Sequence, residues 1–229
     1  LGEISYCEGV IHKIAYNKKI KAVVASSCNS YFLDENNEVW SVGNNQHGQL
    51  GNNEYQNKRI VLQKIANLTN IVSLDIAEYH GIFLNMDGQV FTCGFGKDGR
   101  LGHGTESAIN LPKLIDNLPV IKSVSVGYEH SLLLDENNNV WSFGSNKYGQ
   151  LGISDIQKML VPIQIECELA IIAISAGSFH NLLLDINNQV WAFGYNDNGQ
   201  LGIGDNINYN KPTQIPNLVK INIINTGAY

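Results

Sequence analysis

Arginine is almost missing from this chain: Arg59 and Arg100 are the only two in 229 residues. A surface that neutralises a nucleic-acid backbone needs clustered cations. The overall balance runs the other way, with 15 basic and 21 acidic residues and a formal charge of -6. Nucleic acid is therefore disfavoured as a partner. Long apolar runs are missing too. The most apolar stretch, Leu169 to Ala176, falls far short of the ~20 residues that cross a bilayer. The opening Leu1-Gly2-Glu3 has no initiating Met and none of the basic and apolar regions of a signal peptide. The chain is expected to be cut from something longer, with any targeting segment outside it. Cysteine is sparse. Cys7, Cys28, Cys93 and Cys167 form no C-x-x-C pair and sit at different places in the pattern described below, whereas a disulfide framework or a zinc site needs patterned spacing. They are expected to be free thiols filling small apolar sites, in a reducing, intracellular setting, cytoplasmic or nuclear. Catalytic constellations are absent as well: no Ser/His/Asp arrangement, no H-E-x-x-H and no P-loop. No conventional enzyme chemistry, no metal and no cofactor are expected.

What the chain does have is repetition. VWSVGNNQHGQLG, VFTCGFGKDGRLG, VWSFGSNKYGQLG and VWAFGYNDNGQLG, at residues 39–51, 90–102, 140–152 and 190–202, align without gaps at spacings of 51, 50 and 50. All three tryptophans, Trp40, Trp141 and Trp191, share one column, with Phe91 in the other copy. His80, His130 and His180 share another, where the first copy has Asn29; Pro112, Pro162 and Pro212 share a third. Each unit reads as short strands. In the third, Ser123 to Val126 and His130 to Leu134 are apolar or alternating runs. An Asp-Glu-Asn-Asn-Asn turn follows at 135–139, and Val140 to Phe143 returns as a strand. The proline-led segment suits an edge strand, which spares the missing N–H. Four strands in ~50 residues is the arithmetic of a propeller blade. The fold class is thus all-β, a single repeat propeller over residues 1–229 with four full units and a partial fifth. The stretch equivalent to residues 130–150 is what a whole fifth unit would still need.

The motif G-x-N-x-x-G-Q-L-G with its upstream partner stands here as GSNKYGQLG with SVGYEHSLLL and as GYNDNGQLG with SAGSFHNLLL. It resembles the repeat of the regulator of chromosome condensation family, over essentially the whole chain. The resemblance implies a ring of five to seven blades when complete, seven being the family norm. It implies several trades: nucleotide exchange on the Ran GTPase, substrate recruitment in ubiquitin ligases, signalling scaffolds and a secreted β-lactamase inhibitor. Exchange factors of the family look like they use one propeller face plus a protruding β-wedge, for which spacings of 51, 50 and 50 leave no room between these motifs.

Repeat residues are structure first. The histidine column is expected to bond backbone within its own blade, since equivalent positions lie around a ring instead of converging on an ion. The column of Trp40, Phe91, Trp141 and Trp191 is expected to be buried core, and GFGKDG at 94–99 is a repeat motif, not a dinucleotide fingerprint. Function belongs where the copies differ. The second unit departs most, with Phe95, Lys97, Asp98, Arg100, His103 and Glu106; the first adds Tyr55 and Arg59, and Tyr148 and Tyr195 are loop aromatics. Arg and Tyr are favoured interface anchors. The expected function is a protein-binding propeller that activates a Ran-type small GTPase as an exchange factor, the partner being of Ran or Rab class. The alternative is a non-catalytic scaffold or recruiting module, of ubiquitin-ligase or effector type.

Overall fold

A computed structural model describes residues 18–154 and 156–227. Among them lie sixteen strands in four antiparallel sheets, each of four consecutive strands joined in chain order. The first sheet holds β1 (Ile20–Ala25), β2 (Asn29–Asp34), β3 (Val39–Asn45) and β4 (Gln56–Lys64). The second holds β5 (Ile71–Ile76), β6 (His80–Asn85), β7 (Val90–Gly94) and β8 (Ile109–Leu114). The third holds β9 (Ile121–Val126), β10 (His130–Asp135), β11 (Val140–Ser145) and β12 (Lys158–Gln164), and the fourth β13 (Ile171–Ala176), β14 (His180–Asp185), β15 (Val190–Gly194) and β16 (Tyr209–Gln214). These are the blades of a propeller. The strands β1, β5, β9 and β13 lie next to one another along the axis, and Pro112, Pro162 and Pro212 fall on the opposite, outer edge strands. No helix among the described residues is long and apolar enough to cross a membrane.

Local sequence explains each blade. Asp135 ends β10 and its Oδ1 accepts the main-chain N–H groups of Asn137 and Asn139, both at 2.9 Å, which closes the turn into β11. Its second oxygen accepts the Trp141 indole N–H at 3.0 Å. Asp34 with Trp40 and Asp185 with Trp191 repeat the arrangement at 3.1 and 3.0 Å. In the second blade Phe91 has no indole to place, and the turn residue there is Asn85, whose amide bonds Gln89 instead. The two columns change together because one supplies the donor and the other the acceptor. The tryptophans are accordingly half-buried and not the fully buried core expected from the sequence. Trp141 and Trp191 pack one face against a cluster between blades while the indole N–H reaches the turn. The core itself is aliphatic and phenylalanine-rich, with Leu50, Leu101, Leu151 and Leu201 of the motif fully enclosed. The motif leucine is clamped from within the motif: in blade three the Asn146 side-chain oxygen accepts the Leu151 N–H at 2.9 Å and Ser142 donates to the Leu151 carbonyl at 2.8 Å, while Leu101 keeps only a hydroxyl clamp from Thr92 and Leu201 only an amide clamp from Asn196. Gly144 has φ +113 at the end of β11, where a Cβ would strike the Glu129 carbonyl, so no other residue fits. Of the cysteines, Cys93 is buried and Cys167 partly so; Cys28 is exposed, contrary to expectation, and Cys7 lies outside the described residues.

The blades are held to one another by side chains that reach across. His80 Nε2 lies 3.0 Å from Ser131 Oγ, and that hydroxyl donates to the Arg100 carbonyl at 3.1 Å. His130 Nε2 lies 2.7 Å from the Asn181 carbonyl oxygen, while the Asn181 amide donates to the Gln150 carbonyl at 2.8 Å. Since Ser131 and Asn181 already spend a donor on a carbonyl, both imidazoles carry their proton on Nε2. The expectation that the histidines bond backbone within their own blade is thus corrected: His80 and His130 bond the next blade's side chain. The exception at Asn29 has a matching cause. The residue after His80 is Gly81, so blade one meets no serine or asparagine there. Asn29 donates instead to the Glu78 carbonyl at 3.0 Å, and the Tyr31 hydroxyl donates to the Gln49 carbonyl that Gly81 leaves unserved. A Cβ at residue 81 would collide with that same tyrosine ring. Asn29, Tyr31 and Gly81 are one linked substitution.

A second ladder runs along the axis. Ser125 Oγ accepts the Ala176 N–H at 3.1 Å and Ser175 Oγ accepts the Thr226 N–H at 3.0 Å. Asp75 does the same for the Val126 N–H at 2.9 Å. The equivalent residue in blade one is Val24, which accepts nothing, and Asp75 uses its other oxygen for the Ile76 N–H at 2.8 Å.

Two outcomes follow from these stitches. Burial pushes His130 down to about 4 and His80 well below its ordinary value. Their folded-state values lie below the unfolded value near 6.5, so the unfolded chain takes up more protons in between. Stability is full above pH ~6.5 and falls as pH drops toward 4, by on the order of 3 kcal/mol for His130. Thermal melting between pH 7.5 and 4.5 should show the decline, and His130→Asn should reduce it by the His130 share, leaving that of His80. The linked substitution is read by a double-mutant cycle in urea. Gly81→Ser alone should cost ~1–3 kcal/mol by overpacking and Tyr31→Leu alone ~2–5 kcal/mol. Together they should cost less than the sum by ~1–3 kcal/mol, because the serine regains the carbonyl.

Candidate protein-docking face

In an antiparallel four-stranded blade the turn between the first and second strands and the loop between the third and fourth leave at the same end. The two kinds of connection from all four blades therefore share one face. On it the aromatic side chains meet in an unbroken arc. His47 lies 4.5 Å from Phe95 and 5.4 Å from Tyr79 between ring centres, and Tyr79 lies 5.2 Å from Tyr128. Tyr128 continues to Phe179 at 5.5 Å, Phe179 to Tyr148 at 5.4 Å, and Tyr148 to Tyr195 at 4.9 Å. Most contacts are edge-to-face, the arrangement ring quadrupoles favour. All seven rings are half-buried, so each is held by its neighbours and still shows part of its surface to solvent. Rigid, partly exposed aromatics lose little entropy on binding, which makes them efficient contact residues.

Arg100 holds the middle of the arc together. It occupies the column of the motif glutamine, whose carbonyl in Gln49 and Gln150 accepts a loop N–H. Arginine accepts nothing and instead donates from Nε to the Lys97 carbonyl at 2.8 Å and from Nη1 to the Tyr128 carbonyl at 3.0 Å. Asp98 and Glu129 lie 3.6 and 3.8 Å from its guanidinium, and the Phe95 ring centre 5.3 Å away. Its side chain is 1% exposed. The expectation that Arg100 is a surface anchor is therefore corrected: it is a buried tie from the loop of blade two to the turn of blade three.

The other residues singled out from the sequence divide into two groups. Phe95, Tyr148 and Tyr195 belong to the arc; Lys97 is exposed beside it, and half-buried Asp98 sits at φ +58 in the tip of the same loop. Tyr55, Arg59, His103 and Glu106 lie apart from it. Tyr55 is exposed and its hydroxyl reaches the Ala108 carbonyl at 3.4 Å. Arg59 on β4 pairs with Glu54, and Glu106 pairs with Lys158 on β12. His103 donates to Thr92 at 2.9 Å, and burial holds it down to about 4. Four members of the arc, His47, Tyr79, Tyr128 and Phe179, escaped the sequence reading. For three of them the signal was present: Tyr79, Tyr128 and Phe179 stand in the variable columns just before the repeat histidine, one place earlier in the third copy than in the second and fourth, while His47 shares the motif column of Tyr148.

Arg100→Gln returns the column to its usual residue but leaves Asp98 and Glu129 without their cation. It should cost ~1–3 kcal/mol and lower the midpoint of thermal unfolding at pH 7 by several degrees. A purely peripheral loop residue would leave that midpoint unmoved.

Models of the regulator of chromosome condensation (RCC1) repeat match residues 87–134, 137–184 and 187–228, and a second form of the model matches 20–49, 121–150 and 171–200. Among curated proteins the chain is similar to human E3 ubiquitin-protein ligase HERC2, 35% identical over 86 residues, which is 37% of this chain and 2% of that protein. It is similar to the Xenopus laevis inhibitor of Bruton tyrosine kinase, 34% identical over 82 residues, 34% of this chain and 6% of that one. It is 28% identical over 99 residues to the mouse RCC1-like G exchanging factor-like protein, 41% of this chain and 22% of that one. Among solved structures it superposes on Saccharomyces cerevisiae Prp20p, described for its binding to Gsp1p and histones, with TM-score 0.79 and 22% identity over 88% of this chain and 51% of that one. Human WBSCR16 gives TM-score 0.78 and 23% identity over 86% and 52%. The chain thus spans about half the length of these solved propellers, and the likeness to them shows the fold.

Proposed function

This chain belongs to the RCC1 repeat family, and on that premise we propose that it is a docking propeller whose aromatic face binds a small GTPase of Ran type and loosens its nucleotide. The observation that carries the docking role is the arc itself. Seven rings from all four blades run on without a break, and they come from columns in which the copies differ, so the repeat fold does not require them. The GTPase reading is supported by the likeness to Prp20p, described for its binding to Gsp1p, and to the RCC1-like G exchanging factor-like protein. Exchange works by linkage: a surface that holds the nucleotide-free GTPase more tightly than the loaded form lowers nucleotide affinity by the same factor. Asp98 and Lys97, at the loop tip that Arg100 pins, are the charged groups placed to disturb a phosphate and magnesium site, and an intracellular setting goes with this reading.

One observation favours a second reading, recruitment without exchange. The loops between third and fourth strands are of similar length in all four blades, and the wedge that the family resemblance implies for exchange factors has no counterpart among the described residues. Release of a fluorescent nucleotide from Ran- and Rab-class GTPases, beside a direct binding assay, separates the two. Tyr148→Ser with Tyr195→Ser should weaken binding at least tenfold with little change in melting temperature. Asp98→Ala should abolish acceleration while sparing part of the binding. Binding without acceleration favours recruitment, and no binding to any GTPase overturns the GTPase reading.

A further inference from the structure

The ends of the inner strands of the four blades, with Asn225 to Gly227 beyond them, line an open axial funnel of about 480 Å³ on the side of the aromatic face. Its wall is acidic and hydroxyl-rich: Asp75 and Glu78 supply carboxylates, Ser125 and Ser175 supply hydroxyls, and no Lys, Arg or His lines it. Tyr128 of the arc stands at its lip. Three of these residues are departures from the repeat. Where Asp75 stands, later blades have Ser125 and Ser175. Where Glu78 stands, they have Tyr128 and Ser178. Where Ser26 stands, they have Gly127 and Gly177. All three departures face one cavity. The Asp75 carboxyl is explained in part by Val24, as above; its Oδ2 also accepts the Ser125 hydroxyl at 3.2 Å, and burial at the funnel wall pushes it above the usual range. Ser26 Oγ lies behind this wall, shut off from solvent and with no hydrogen-bond partner. The main chain at Glu78 is pinned by Asn29 at 3.0 Å and Gln49 at 3.3 Å, so the carboxylate at the mouth is mounted on rigid backbone.

We propose that the axial funnel is a binding site for one basic side chain, an arginine presented by an extended segment of a partner protein. Its planar guanidinium offers five donors, which match two carboxylates and a ring of hydroxyl oxygens. The rim suits the same chemistry. The chain already lays two of its own cations on this arc, Arg100 over Phe95 and Lys147 over Tyr148 at 5.0 Å, so these rings receive cations by their faces. Around them Glu78 at the funnel and Asp197 beside Tyr195 give the partner's neighbouring basic residues a complementary field. The site goes beyond the GTPase reading, because it is defined by the inserted side chain and not by the identity of the protein that carries it.

The test uses this chain, with no GTPase present, and two terminally blocked pentapeptides, one with a central arginine and one with citrulline, its neutral isostere. Amide resonances of residues 125–128 and 175–178 report the funnel. The arginine peptide should bind saturably and shift them; the citrulline peptide should bind at least tenfold more weakly. Glu78→Gln should weaken the arginine peptide at least tenfold without altering thermal stability, as a half-exposed lip residue. Val24→Ser with Asp75→Ser turns the axial ladder into serine throughout, keeps an acceptor for each N–H, and should weaken it comparably. Equal binding of the two peptides overturns the proposal. So does undiminished binding to Glu78→Gln, which would place the peptide on the acidic outer surface. Should the double variant fail to fold, Glu78→Gln decides the matter alone.

Discussion

The carbonyl of the residue before the motif leucine must be satisfied by a neighbour, and the rest of the propeller is arranged around that requirement. It lies buried at the junction of two blades, where an unmet acceptor costs ~1–3 kcal/mol. Blades three and four meet it with Ser131 and Asn181, and each of those is in turn met by a histidine from the blade before. Blade two brings only Gly81, and two other residues move to compensate. What looks in an alignment of the copies like three unrelated irregularities is a single hydrogen-bonding solution. The axial ladder behaves the same way: where Val24 accepts nothing, Asp75 takes two N–H groups with two oxygens. The charge in the funnel is thus a consequence of packing that the proposed arginine site makes use of.

The same logic separates scaffold from surface. Columns that serve the blade, such as the turn aspartate with its tryptophan, change only in pairs. Columns that face outward on the loop end change freely, and there the aromatic arc draws on a few columns, His47 with Tyr148, Phe95 with Tyr195 and Tyr79 with Phe179, that only some blades fill with a ring. Arg100 belongs to both worlds. It stands in a structural column, yet its donors run to the loop and turn that carry Phe95, Lys97, Asp98 and Tyr128. It positions the face without presenting itself to a partner.

Much of this was legible in the chain of letters. The order of the strands, the turn clusters and the edge prolines follow from patterns within ten or so residues, although the strands run longer than the apolar runs, with β9 starting at Ile121 and the outer β12 at Lys158, four residues before its proline. Phe95, Tyr148 and Tyr195 were identified as surface aromatics from their variable columns. The reading fell short wherever a residue's partner lies about fifty positions away. The size of Trp141 alone points to buried core, but its turn acceptor, Asp135, holds the indole half-buried at the blade end. His130 was given a partner in its own blade because the next copy's asparagine was not known to face it.

By itself the sequence determined the blade: a period near fifty, alternating apolar strands and side chains that cap their own turns, all local consequences of backbone geometry and residue type. Only the tertiary structure decided what the blades do together. It set which loops share a face, which rings touch, why Arg100 is buried and where the acidic funnel opens. Those outcomes depend on contacts between successive copies, whose relative placement is fixed by packing across the axis and not by any short stretch of chain.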